Sequence, residues 1–223
     1  MRPLSLLTAL SVVALSACQD GPTEPQDFMV EGRVALASLV SLSDGHLQQI
    51  ANDFQMLAGS EDGRSGDWER IRGATCRTAP TWPKLMAGQT VIGDLVASRA
   101  TGKSSAIVAV PVLGEGGAII GVLGSSVYLD SLSLRIKSEL DLQPNQIFFS
   151  IDATPIGALQ DDPAQIFLDP LALGEPELER AIREMLTHEE GVVNYHFRGK
   201  PRTVLYRKSH VSGWWYAFGR IWD

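Results

Sequence analysis

Two apolar runs joined by a glycine-rich turn constrain this chain most. Ile107-Val108-Ala109-Val110-Pro111-Val112-Leu113 and Ala118-Ile119-Ile120-Gly121-Val122-Leu123-Gly124 flank Gly114-Glu115-Gly116-Gly117. β-rich runs on either side of such a turn predict a β-hairpin over Ala106 to Val127. A membrane span is excluded there, because Pro111, Glu115 and the glycines interrupt a run that would need ~20 apolar residues. Between Val30 and Leu57, apolar residues recur at helical spacing (Val34, Leu36, Leu39, Val40, Leu42, Leu47, Ile50, Phe54, Leu57). They predict a long helix, with Ser43-Asp44-Gly45 as a break or kink. Leu129 to Leu140 is an amphipathic helix, with Leu129, Leu132, Ile136 and Leu140 on one stripe. Gln146 to Ile151 reads as a strand turned by Asp152-Ala153-Thr154-Pro155, and Ile166 to Pro170 as a loop anchor. Glu175 to His188 reads as a helix with acids in its first turn and Gly191 beyond its end. Val192 to Phe197, Arg202 to Lys208 and Trp214 to Ile221 read as three strands of a meander. The order predicts an α+β fold around one antiparallel sheet of five to six strands, with a long N-terminal helix.

The start of the chain sets its expected address. Arg2 precedes an apolar run from Leu4 that closes on Leu15-Ser16-Ala17-Cys18. A cationic start, a short apolar stretch and small residues before a cut site make a secretory signal. The last four residues resemble the bacterial lipobox, whose cysteine is lipidated and becomes the new N-terminus. Residues 1–17 are then a lipoprotein signal peptide, 18–29 a polar tether and 30–223 the folded domain. Gln19 after the cysteine favours the outer membrane over the inner. The alternative is an ordinary signal peptide with a chance cysteine near its end.

Composition narrows the function classes. The chain carries a formal charge of −7 and is 44% apolar and 20% charged. An acidic balance with no basic stripe argues against nucleic acid as a partner. There are two cysteines. With Cys18 consumed by lipid, Cys76 has no partner for a disulfide and reads as a small buried hydrophobe. Gly59 to Gly66 reads as a loop and Trp68 to Arg72 as a helical turn. Gly73 to Gly88 is irregular, yet it carries Trp82, Arg77 and Lys84, which is unlike a mere connector.

The order of elements resembles the extracellular PAS-like sensor module called Cache. The matching residues are Pro111-Val112, Gly117, Gly121-Val122-Leu123-Gly124 and Gly213-Trp214-Trp215-Tyr216-Ala217-Phe218-Gly219. Phe149-Ser150-Ile151-Asp152 and Gly191 to Gly199 resemble two further strand motifs of that family. The resemblance covers about residues 30–222 and implies a small-molecule pocket between the irregular segment and one face of the sheet. Two departures matter. The chain stops at Asp223 without the kinase, cyclase or chemotaxis output of many Cache receptors, so a signal would need a membrane partner. Where amino-acid-binding members resemble one another in an aspartate, this sequence has Ser126, so the resemblance does not carry an amino-acid preference over.

The resemblance makes Trp68, Arg72, Arg77, Trp82, Lys84, Ser126 and Tyr128 the candidate ligand-binding residues. Aromatic walls desolvate a ligand, and three cations between Arg72 and Lys84 suit an anionic one. The competing reading is that the tryptophans are core packing and the cations solvated. Trp214, Trp215 and Tyr216 read as sheet packing. No catalytic or metal-binding motif survives. Gly114-Glu115-Gly116-Gly117-Ala118-Ile119 fails the dinucleotide pattern at its last position. No nucleophile elbow follows Gly124, and Val192 spoils a zinc motif at His188. The expectation is therefore a non-enzyme without cofactor or metal. It is an exported, lipid-anchored small-molecule binding protein of sensor type, facing the periplasm. It would act with a membrane receptor or another envelope protein. The alternative is an envelope lipoprotein that kept the fold without ligand binding and works through protein contacts.

Overall fold

The first helix begins five residues earlier than its periodicity suggests, because Phe28 is wholly buried. In the computed structural model, which describes residues 25–60, 81–97 and 101–223, helix α1 spans Pro25–Gly59. The signal sequence, Cys18 and Cys76 lie outside the described residues. At ~1.5 Å per residue α1 is about 50 Å long. Its buried stripe runs Phe28, Leu36, Leu39, Leu47, Ala51 and Ala58. Near its start the Phe28 ring stacks on Phe218 at 6.3 Å and meets the edge of Trp222 at 5.8 Å. Near its end Ala58 and Phe54 pack on Val110, Val112 and Leu123.

Those two ends rest on different sheets. The first sheet has the order β1 (Val91–Ala97), β2 (Ser104–Leu113), β3 (Ile119–Tyr128), all antiparallel. The expected hairpin is β2 and β3, and Gly116 and Gly117 take φ of 75° and 81° in the turn between them, where a β-carbon would be strained. The second sheet comprises β4 (Gln146–Ile151), β5 (Gly157–Gln160), β6 (Glu190–Phe197), β7 (Lys200–Lys208) and β8 (Trp215–Ile221). Its spatial order is β5-β4-β8-β7-β6, so its first and last long strands lie side by side at the centre. This is a PAS-like five-stranded sheet with a long N-terminal helix. The hairpin does not join it, as a single sheet would require. Helix α3 (Leu129–Leu140) separates β3 from β4, and the hairpin instead gains β1 as its third strand.

Period-two alternation explains the layers. Trp214, Tyr216, Phe218 and Phe148 face α1 and α3, together with Leu129, Leu132 and Ile136. Trp215, Ala217, Val204, Tyr206 and Val193 face the other way, onto Leu178, Ala181, Ile182 and Met185 of α4 (Pro176–Thr187). The tryptophans and Tyr216 are thus sheet packing, as expected. A short helix, α2 (Thr81–Met86), stands in the segment read as irregular, and β1 and β5 had no counterpart in the sequence reading.

Ser43 and Asp44 do not break α1. Their side chains bond to the second sheet rather than to their own backbone, so the helix runs on. The Ser43 hydroxyl is 2.7 Å from that of Tyr216. The Asp44 carboxylate accepts from Ser209 (2.8 Å), Tyr216 (3.1 Å) and Ser212 (3.3 Å). The Ser209 oxygen in turn accepts from the Val211 and Ser212 backbone N–H groups at 2.9 and 3.0 Å. Burial pushes the Asp44 carboxyl up, against those hydrogen bonds and the field of His210. Burial and the Asp44 charge push the Tyr216 phenol far above its usual range.

A carboxyl raised by folding holds its proton more tightly in the native state. The stability it contributes is complete below the ordinary carboxylate pKa and is lost as pH rises through the raised one. Asp44→Ala takes an acceptor from three hydroxyls, those of the buried Ser209 and Tyr216 and of the half-buried Ser212, and should cost about 1–3 kcal/mol at neutral pH. Denaturant unfolding across the acid range should show the wild type losing stability with rising pH through this window, and the variant losing less.

Candidate functional site

A bulge in β1 decides which side chains face the expected pocket. The strand pairs as Val91↔Ala109 and Ile92↔Val108, then as Asp94↔Ile107. Gly93 is therefore the extra residue, at φ 90°. Simple alternation from Val91 would put Leu95 on the outer face and Asp94 beneath α1. The bulge reverses this. Ile92 and Leu95 pack into the main core, and Asp94 joins Val91 on the outer face. The Gly93 carbonyl accepts the Trp214 indole N–H at 3.0 Å, which ties the bulge to the second sheet. A β-carbon on Gly93 would lie 3.1 Å from Ser212 and 3.2 Å from the indole nitrogen.

Helix α2 covers part of this outer face. Leu85 is buried among Val91 and Ala109, with Ile107 and Val122 around them. From the same helix Thr81 donates to one Asp94 oxygen at 3.0 Å and Lys84 to the other at 2.7 Å. The Lys84 side chain is 49% exposed and that of Asp94 15%. Ser126 on β3 opposes Ile107, which opposes Asp94, so the three form one cross-strand row. Two strand spacings separate the carboxylate from the serine, about 10 Å. Tyr128 is the next residue of β3 on that face and is 38% exposed. Lys103 stands 4.7 Å over its ring and 3.8 Å from Asp130.

Four of the seven expected ligand residues are described. Ser126 and Tyr128 share the outer face, Lys84 reaches it from α2, and Trp82 is a half-buried residue of that helix. Trp68, Arg72 and Arg77 lie outside the described residues. Lys84 is not a free cation awaiting an anion, since it is paired with Asp94. Thr81 and Asp94 were missed by the sequence reading. The signal for Asp94 is Val91-Ile92-Gly93-Asp94-Leu95-Val96-Ala97, where a glycine and an acid interrupt an apolar run and so suggest a bulge; Thr81 carries none. Among the described residues no cluster of three or more His, Cys, Asp or Glu could hold a metal ion, and no helix is long and apolar enough to cross a membrane.

No protein-family model matches the chain, and no curated protein matches it either. Solved structures do. The ligand-binding domain of the Pseudomonas aeruginosa amino acid chemoreceptor PctB, solved with L-Arg, superposes with a TM-score of 0.62 at 15% identity. That match covers 88% of this chain and 94% of the other. The ligand-binding domain of Pseudomonas fluorescens chemoreceptor CtaA with L-alanine gives 0.61 at 15% identity, over 89% and 97% of the two chains. The sensory domain of the Campylobacter jejuni chemoreceptor Tlp3 with isoleucine gives 0.56 at 9% identity, over 88% and 93%. At these identities the likeness is one of fold: a long helix and antiparallel sheets in the arrangement of chemoreceptor ligand-binding domains.

Gly93→Ala should destabilise the protein by about 1–3 kcal/mol, because a left-handed backbone and two close contacts both oppose the methyl group. Thermal unfolding checks this, and an unchanged midpoint would contradict the bulge.

Proposed function

We propose that this chain is an exported small-molecule binding protein of sensor type, whose ligand sits on the outer face of the first sheet beside α2. The observation that supports it most is the row Asp94–Ile107–Ser126, because a bulge held from the other sheet aims a carboxylate at that face. The fold neighbours were solved with amino acids. A ligand ammonium would replace the Lys84 Nζ on Asp94. The Thr81 hydroxyl stands beside that ammonium, Ser126 and Tyr128 would meet the rest of the ligand on the same face, and Trp82, Trp68, Arg72 and Arg77 are the remaining candidate ligand residues. Cys18 carries the lipid that holds the domain at the envelope, facing the periplasm, with a membrane or envelope protein as the receiver of the signal.

One observation favours the second reading, a scaffold that kept the fold without a ligand. Lys84 already satisfies Asp94 at 2.7 Å, as a built-in substitute for a ligand ammonium. The two readings separate in a thermal-shift screen against amino acids and small organic acids. A ligand at a hundred times its dissociation constant adds ~2.7 kcal/mol. Binding predicts a clear rise in the midpoint that Asp94→Asn abolishes. A flat screen with a folded protein supports the scaffold. The anchor is checked separately: cells fed a labelled fatty acid should label the wild type but not Cys18→Ser.

A further inference from the structure

A sheet edge presents unpaired N–H and C=O groups that can bond a further strand, and proteins close such edges with charges, bulges, short strands or covering segments. The two sheets end in four edge strands, β1, β3, β5 and β6. Three of them are closed, each by its own contacts. On β6 the Glu177 carboxylate of α4 accepts the His196 backbone N–H at 2.9 Å. Arg180 of the same helix donates to the Asn194 carbonyl at 2.7 Å. On β5 the Gly157 N–H donates to the Leu168 carbonyl at 3.0 Å, and the Gly157 carbonyl accepts from Phe167 at 2.8 Å, so the following loop lies along that strand. On β1 the bulge interrupts the edge at Gly93, whose carbonyl is taken by the Trp214 indole at 3.0 Å.

Strand β3 carries no such device among the described residues. Its one strand neighbour there is β2, and no described side chain hydrogen-bonds its backbone. Pairing with β2 is regular from Gly121 to Tyr128, and the single extra residue, Ile120, sits beside the hairpin turn. From Ile119 to Tyr128 the strand holds no charged residue and no proline. Ser125 and Ser126 point to opposite faces of the sheet, yet both are exposed. A ten-residue uncharged strand is the kind of edge that recruits another strand.

We propose that β3 pairs with β3 of a second copy of this chain, antiparallel about a two-fold axis at Gly124, and so joins two three-stranded sheets into one of six strands. A two-fold interface uses the same patch twice. It keeps like faces on one side, so residues of equal parity must oppose each other. With Gly124 opposite itself, Leu123 meets Ser125 and Val122 meets Ser126, each twice, and Gly121 meets Val127. Every larger residue then faces a smaller one, and no like charges meet, so the strand complements itself. Moving the axis to Leu123 would instead set two leucines against each other. The seven residues from Gly121 to Val127 span about 23 Å of edge. That is small beside a standard interface, so the dimer is weak, with a dissociation constant in the micromolar range. The pairing does not depend on a ligand at Asp94.

Sedimentation velocity on the full protein, from about 1 to 300 µM, should show a monomer passing into a dimer. Amide hydrogen exchange over the same range should show protection between Gly121 and Val127 rising about tenfold with concentration while β2 stays unchanged. Ser125→Lys and Ser125→Glu alter an exposed position. Each sets two like charges diagonally across the axis, ~7–8 Å apart, and should weaken the dimer by about tenfold. An equimolar mixture of the two variants should restore it, because the charges then attract, whereas misfolded variants would not rescue each other. A monomer at every concentration, or protection of these amides that does not change with concentration, would overturn the proposal. So would a dimer that both variants leave intact, or a mixture that associates no better than either variant alone.

Discussion

The hydrogen bond from the Trp214 indole to the Gly93 carbonyl joins the two sheets at the point where the first one must deviate from regular pairing. Trp214 is 1% exposed, so its N–H has no water to turn to and needs this acceptor. The acceptor exists only because Gly93 is bulged, and the bulge alone explains why Leu95 is inside and Asp94 outside. A packing residue in one sheet therefore sets the chemistry offered by the other.

Helix α1 makes the assembly possible because it is long enough to lie on both sheets. Apolar burial supplies most of the adhesion, but it is not directional. Polar contacts fix where along the helix each sheet sits. Glu31 accepts from Arg220 at 2.8 Å and from Gln146 at 2.7 Å, reaching β8 and β4 at once. Asp44 and Ser43 do the same for the turn before β8 and for Tyr216. Such half-buried polar contacts add little net stability, and their value lies in register. Sliding α1 by one turn would keep many apolar contacts but strand both carboxylates.

Much of this was legible in the chain. The hairpin turn at Gly114–Gly117, helix α3, strand β4, helix α4 and the final meander announce themselves by period and by turn residues. What periodicity cannot reveal is partnership. It shows which face of a strand is apolar but not which strand lies beside it, so the hairpin was assigned to the sheet of the meander. The short strand β5, with only Gly157 to Gln160, carries too few residues to show alternation. Ser43-Asp44-Gly45 looked like a helix break because small polar residues usually bond locally, and only the fold brings Tyr216 within reach. Asp94 was hidden for a related reason: its direction depends on an unpaired glycine whose anchor is 121 positions away in sequence.

Trp214 holds the bulge, and the bulge holds Asp94 outward. Amide hydrogen exchange on Trp214→Phe, which keeps an aromatic ring but removes the donor, tests it most directly. Exchange should be faster along β1, from Ile92 to Val96, while β4 and β7 remain protected. Loss of protection confined to the neighbours of residue 214, with β1 unchanged, would contradict it.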